Sequence, residues 1–231
     1  MKAHFNRASL LFVCCLITLS NTGCSSSGDV KSRNFEFSSV VKNDIDLVSE
    51  THQRVVLNAL KELAIKLYKR NPQEWKKGGY DSLEVAVEEI TADPFPEVEG
   101  KTSIECIRLT FDENYQGDRV KAFIVGMESM VLASYDGHRS FYLHNMLEAQ
   151  KLYDSARNME LASWLVRTKY AENGKLFLLS SGGTDTVNLS FERLFGKMIN
   201  AQDMLAQIMA DRGHRQIKNI IQAIATAFIP I

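Results

Sequence analysis

The sequence predicts a mainly α protein, an irregular helical bundle with one or two short strands or a small hairpin. Two observations carry that prediction. Apolar residues recur at intervals of three and four through most of the chain after residue 41, the spacing that lays them along one side of a helix. The stretches so patterned are separated by Asn71-Pro72, by Pro94 and Pro96, and by Asp136-Gly137 and Asn173-Gly174, pairs that stop helices and turn the chain. No segment repeats at a fixed period, so a solenoid is not expected.

Val56, Leu60, Leu63 and Leu67 form the inner stripe of a first helix, with Ser49 or Thr51 available to cap its start. Asn71-Pro72 stops it, and Asn71 is expected to cap a short following turn, with Pro72 in its first position and Glu74 completing a capping box. Ser82 opens another short helix with Leu83, Val87 and Ile90 inward, and residues 92–103 read as loop. Ile107, Leu109 and Phe111 alternate with polar residues, so a strand is expected over residues 103–111. Asp118 caps a strong helix whose inner face is Val120, Phe123, Ile124, Met127 and Val131, ended by Asp136-Gly137.

A further helix runs from about Met146 to Ala171, with Leu152, Ala156, Met159, Ala162 and Val166 inward and Asn173-Gly174 as its stop. Lys175 to Ser181 suits a short strand, and Gly182-Gly183 a tight return toward Val187 and Leu189. Ser190 then caps a long helix carrying Phe191, Leu194, Phe195, Met198, Leu205 and Ile208. Gly213 separates it from a last helix with Ile217, Ile220, Ile221, Ile224 and Phe228.

The amino-terminal residues have a different character. Lys2 and Arg7 supply positive charge, Ala8 to Leu19 form a twelve-residue apolar run, and Ser20 to Gly23 are small or polar. That run is too short for a transmembrane helix, which needs about 20 residues, and it reads as an export signal. Asn21-Thr22-Gly23-Cys24 resembles the lipobox of bacterial lipoproteins, with Asn21 standing where that box usually has Leu. The resemblance implies removal of residues 1–23 and acylation of Cys24 with palmitate-type chains. Each buried methylene contributes about 0.8 kcal/mol, so two or three chains hold a protein on a membrane without help from its polypeptide. Ser25 resembles the default signal for outer-membrane sorting, which implies a lipid anchor facing the periplasm. The organisation expected is therefore a signal peptide over 1–23, a Ser-rich lipidated tether over 24–40, and a single helical domain over 41–231.

Removing Lys2 and Arg7 from the 27 basic residues leaves 25 against 28 acidic ones, nearly neutral and without a basic stripe. Nucleic acid is not an expected partner, nor is attraction of the folded part to anionic lipid. Cys14 and Cys15 leave with the signal and Cys24 is acylated, so Cys106 alone keeps a free thiol and no internal disulfide forms. Its neighbours Ile104, Ile107 and Leu109 point to a buried structural thiol rather than a nucleophile.

The histidines His4, His52, His138, His144 and His214 make no metal motif, since none has a cysteine partner or the i, i+4 spacing that aims two rings at one ion. The densest polar cluster is Asp136, His138, Arg139 and Ser140. An enzyme could use Asp136 to orient His138 as a base toward a hydroxyl, whereas a structural reading makes it a solvated turn between two helices. Ser180 to Asp185 is glycine-rich but lacks the lysine of a phosphate loop. Glu128, Glu160, Asn200 and Gln202 fall beside apolar stripes. They are either boundary positions or a buried network, with Arg119, Arg157 or Arg193 as partners.

Tyr115-Gln116-Gly117-Asp118-Arg119 and Phe191 to Lys197 are similar to stretches of a group of uncharacterised proteobacterial lipoproteins, a resemblance that brings no activity with it. The function expected is a non-catalytic binding or scaffold module of the cell envelope, with the membrane and an envelope protein as partners and no cofactor. The alternatives are a membrane-tethered hydrolase acting on an envelope substrate, and a carrier of lipid or another apolar ligand, suggested by eight methionines and abundant phenylalanine.

Overall fold

A helix that is apolar on every side has to be wrapped by others, and Arg119–Ser134 is that helix. In the computed structural model, which describes residues 44–142, 147–181, 188–213 and 228–231, every residue from Ala122 to Leu132 is buried. In chain order the helices are α1 (Asp44–Arg70), α2 (Pro72–Lys77), α3 (Leu83–Ile90), α4 (Ser103–Leu109), α5 (Arg119–Ser134), α6 (Ala149–Thr168) and α7 (Ser190–Gly213). α1, α2, α3, α4 and α6 all pack on α5, and α7 packs on α1 and α6. The described residues lie within one unit, Val40–Ile231. No helix among them is long and apolar enough to cross a membrane.

The helical stripes read from the sequence supply most of the core among the described residues, although Leu83 and Ile208, expected inward, are only half-buried. Val56, Leu60, Leu63 and Leu67 of α1, Leu152, Ala156, Met159, Ala162 and Val166 of α6, and Phe191, Leu194, Phe195, Met198 and Leu205 of α7 are buried. Edge-to-face contacts chain Phe177, Phe111, Phe123 and Phe195 together at centroid distances of 6.1 to 6.4 Å. Arg157 meets Asp203 and Arg167 meets Glu192, so α6 and α7 run antiparallel. Residues 228–231 close the core from the far end of the chain. Phe228 is buried, and the Asn158 side chain donates to the Ile229 carbonyl at 2.8 Å and accepts from its amide at 2.7 Å.

Three local expectations are corrected. Residues 103–109, expected as strand, form α4, with Cys106, Ile107 and Leu109 buried. A lone strand would leave its peptide groups unpaired among helices, whereas a helix closes its own hydrogen bonds. α4 also lies against Gly126 of α5, where an added Cβ would come within 2.7 Å of the Ile107 nitrogen and 2.9 Å of the Ser103 carbonyl oxygen. Ser103 donates its amide to Ser129 Oγ at 2.6 Å across the same contact.

The strand expected over Lys175 to Ser181 is also absent. α6 stops at Thr168, and Tyr170 faces Leu176 in an isolated antiparallel bridge closed through Gly174 at φ +75°. No strand longer than such a bridge occurs among the described residues.

Third, Ser49 and Thr51 sit inside α1, and Ser190 is the first residue of α7. Ser49 returns its hydroxyl to the Ile45 carbonyl. Ser82 and Asp118 do cap α3 and α5, accepting from Val85 and Lys121. The signal segment, Cys24, the tether, the Gly182-Gly183 turn, His144, His214 and the isoleucine stripe from Ile217 to Ile224 lie outside the described residues.

The α4–α5 approach gives a test. Gly126→Ala should destabilise the fold by about 1–3 kcal/mol, because the methyl meets backbone that cannot move aside. Urea denaturation against the parent chain measures it, and an unchanged midpoint would refute the close packing.

Candidate functional site

The Asp136–Ser140 cluster begins where α5 ends. Gly137 N–H donates to the Leu132 carbonyl at 2.8 Å and Asp136 N–H to the Ala133 carbonyl at 3.0 Å, which together form a Schellman motif. Asp136 and Gly137 take the left-handed conformation such a stop needs, at φ +52° and +75°. α1 then holds the turn from the other side: Gln53 donates to the His138 carbonyl at 2.7 Å, and Glu50 accepts the Phe141 amide at 3.2 Å. Phe141 is buried against Tyr135, and the exposed His138 ring meets Phe141 edge-on.

This geometry sends each charge of the cluster elsewhere. Asp136 takes Lys151 at 2.6 Å, and that hydrogen bond raises the Lys151 pKa. Arg139 meets Asp93 at 3.1 Å and Glu128 at 3.6 Å. Among the described residues no hydrogen bond joins Asp136 to His138 or His138 to Ser140, so the relay of orienting carboxylate, base and hydroxyl is not assembled. Ser140 is exposed.

Arg139 rather than Arg119, Arg157 or Arg193 is therefore the partner of Glu128. Glu128 is buried, which raises its pKa, and Arg139 draws it back down. Arg119 instead donates to the carbonyls of Thr110, Asp112 and Tyr115 at 2.7 to 2.8 Å and stacks over Phe177. Arg157 pairs with Asp203 at 2.6 Å and Glu160 at 3.2 Å. Asn200 is at the surface, while Gln202 is fully buried. Gln202 accepts from the Tyr135 hydroxyl at 2.9 Å and donates to Ser134 and Ser155, both at 3.1 Å, tying α5, α6 and α7 in one register.

A second polar centre was not evident from the sequence. At the start of α5, Tyr68 of α1 donates to Asp118 at 2.6 Å, and Glu74 of α2 accepts the Arg119 amide at 2.8 Å and the Lys77 ammonium at 2.8 Å. Burial raises the Asp118 pKa, with the Tyr68 hydroxyl and the Lys121 amide opposing. The Tyr68 phenol is raised as well, by burial first and then by the Asp118 charge. Two carboxylates at a helix N-terminus suit its dipole and exposed amides. This is a built-in cap, with both acids already occupied.

Asn71 does not form the capping box expected of it. It lies buried and clamps the 177–181 segment to α1 by exchanging two hydrogen bonds with the Leu179 backbone, at 2.8 and 2.9 Å. Ser180 and Ser181 are buried, bonded to the Val166 carbonyl and to Glu192. The Cys106 thiol donates to the Ala122 carbonyl, and burial pushes its pKa up to about 12. No group of three His, Cys, Asp or Glu able to hold a metal occurs among the described residues.

The described residues include two open grooves. One, of about 390 Å³, is lined by Asn71, Gln73, Tyr170, Lys175, Phe177 and Leu179, among others. The other, of about 210 Å³, lies between α1 and α7. Comparison with protein-family models, with characterised proteins and with solved structures finds no match.

Two measurements follow from these environments. Cys106 should resist iodoacetamide in the native protein and react fully in urea, because a thiol protonated to about 12 and enclosed in the core offers no thiolate. Rapid native alkylation, read by mass spectrometry, would contradict this.

Glu128→Gln should stabilise the protein increasingly as pH rises above about 4.5, the ordinary pKa of the group. A carboxyl whose folded pKa is raised contributes stability that is present below its unfolded pKa and lost as pH climbs through the folded one. Urea midpoints of parent and variant compared from pH 4 to 8 read the divergence, and parallel profiles would refute it.

Proposed function

We propose that this chain is a lipid-anchored envelope protein whose folded part binds or supports other envelope components without catalysing a reaction. One observation carries the non-catalytic part. In the densest polar cluster, Asp136 is taken by Lys151 and Arg139 by Asp93 and Glu128, so the side chains a hydrolase would need to couple serve the turn that joins α1, α5 and the loop before residue 98. The anchor is inferred from Gly23-Cys24 after the apolar run, with Ser25 favouring the outer membrane and the periplasmic side. The two grooves supply surface for binding.

The test uses the full chain expressed in a Gram-negative host with labelled palmitate. Label should enter the parent and not a Cys24→Ala variant. After crosslinking in membranes and detergent extraction, the parent should carry a defined envelope partner above the level seen with a similarly anchored control lipoprotein. Absence of label would remove the anchor. Lack of any specific crosslink, together with a phenotype lost on His138→Ala but with an unchanged fold, would turn the reading toward an enzyme.

A further inference from the structure

The outward side of α7 carries a stripe that core packing does not explain. Lys197, Asn200, Met204, Gln207 and Asp211 follow one another at intervals of three, four, three and four, and all five are exposed. That seven-residue repeat keeps side chains along one line of a helix, facing one neighbour. Two bonds run along the line: Asn200 donates to Met204 Sδ at 3.3 Å, and Gln207 to Asp211 at 2.7 Å. Beside it, α1 contributes Thr51, His52 and Val55 to the groove that Lys197, Asn200 and Met204 share. Lys66 of α1 reaches Ser190 at the start of α7, so the two helices run antiparallel, with residue 51 level with residue 204. The middle of this two-helix face is apolar and uncovered among the described residues: Met204 is 51% exposed and Leu47 46%.

The charges on this face are ordered about its middle. On α7, Lys197 stands seven residues before Met204 and Asp211 seven after, and Lys197 enters no ion pair among the described residues. On α1, Asp44 stands seven residues before Thr51 and the exposed Asn58 seven after, with Arg54 and Lys61 within a turn of Asn58. A two-fold axis lying in the face and crossing both helices at the level of Met204 and Thr51 lays a second copy on the first with each helix reversed. Lys197 then meets Asp211 of the second copy, and Asp44 of that copy lies at the same level. Asn58, flanked by Arg54 and Lys61, meets Asp44 of the second copy. Arg212 comes within about a turn of Glu62, which Lys66 approaches at 3.9 Å. Arg193 falls beyond α7 of the second copy, and Met204 and Thr51 meet their own counterparts on the axis. A face that complements itself in this way makes every contact twice, which is the condition for an isologous dimer.

We infer that the α1–α7 face is the interface of a two-fold homodimer, with α7 lying antiparallel on α7 of a second copy, Met204 on the axis, and Lys197 paired with Asp211 at both ends. This goes beyond the binding reading above and depends neither on the lipid anchor nor on an envelope partner.

The test uses the full chain in mild detergent, with the parent and its own four cysteines as control. Under mild oxidation Met204→Cys should give a disulfide-linked dimer above the parent level, because the axis brings the two positions together. Lys197→Cys should not link to its own counterpart, about 21 Å away at the rise of a helix, but should link to Asp211→Cys when the two chains are mixed. Lys197→Glu should cut the yield of the Met204→Cys dimer by about tenfold or more, since it sets like charges together twice in each dimer, and adding Asp211→Lys should restore most of it. All three positions are exposed, so folding is not at stake. Three results would each overturn the assignment. One is a Met204→Cys chain that stays monomeric, as it would if residues 214–227 of the same chain or an unrelated molecule covered the face. The others are self-linking of Lys197→Cys as ready as its linking to Asp211→Cys, and a charge exchange that fails to restore the dimer.

Discussion

The constraint on which the rest of this structure depends is the enclosure of α5 from Ala122 to Leu132. A stretch of helix with no face toward water must have every polar group it carries answered from within the protein, since an unpaired buried polar group costs about 1–3 kcal/mol. The partners of α5 are drawn from the whole chain. Tyr68 and Glu74 serve its first turn, Ser103 and Arg139 serve Ser129 and Glu128 in its middle, and Gln202 reaches Ser134 and the following Tyr135. Apolar burial holds the helix in place, and these bonds decide its rotation and register. A slip of one residue along α5 would break several of them at once.

Much of the fold was legible because its signals are local and redundant. The stripes of α1, α5, α6 and α7 repeat over three or more turns, and Ser82 and Asp118 mark helix starts with side chains that bond two or three residues ahead. The α4 segment was misread because seven residues are too few to separate the two periods. Ile107 and Leu109 suit an alternating strand, and burial of Cys106 together with Ile107, which marks a helix, shows only in three dimensions. Asn71 was misread for a related reason. Its position before Pro72 suggested a cap, but its amide is spent on Leu179, 108 residues away, and no local pattern announces such a partner.

The polar cluster at residues 136–140 shows the same limit from the functional side. Its composition invited a catalytic reading, yet composition cannot say which charges meet. Lys151 and Asp93 come from elements that sequence proximity does not connect to it, and their ion pairs decide what Asp136 and Arg139 do. The buried acids at the start of α5 carried no warning, since Asp118 read as an ordinary cap and Glu74 as part of another one. The α1–α7 groove was equally invisible. It depends on which residues of two amphipathic helices stay uncovered after packing, and His52, Lys197 and Met204 are 145 and more positions apart from one helix to the other.

The pinning of Ile229 by Asn158 has a consequence for local opening of the bundle. Asn158 is fully enclosed, and among the described residues its side-chain amide finds both donor and acceptor in the Ile229 backbone. A bundle in which α1 through α7 have formed but residues 228–231 have not docked leaves that amide enclosed without the peptide that closes this face. Local opening of residues 228–231 therefore strips a buried amide of both partners at once, so this segment and the middle of α6 gain and lose protection from amide hydrogen exchange together.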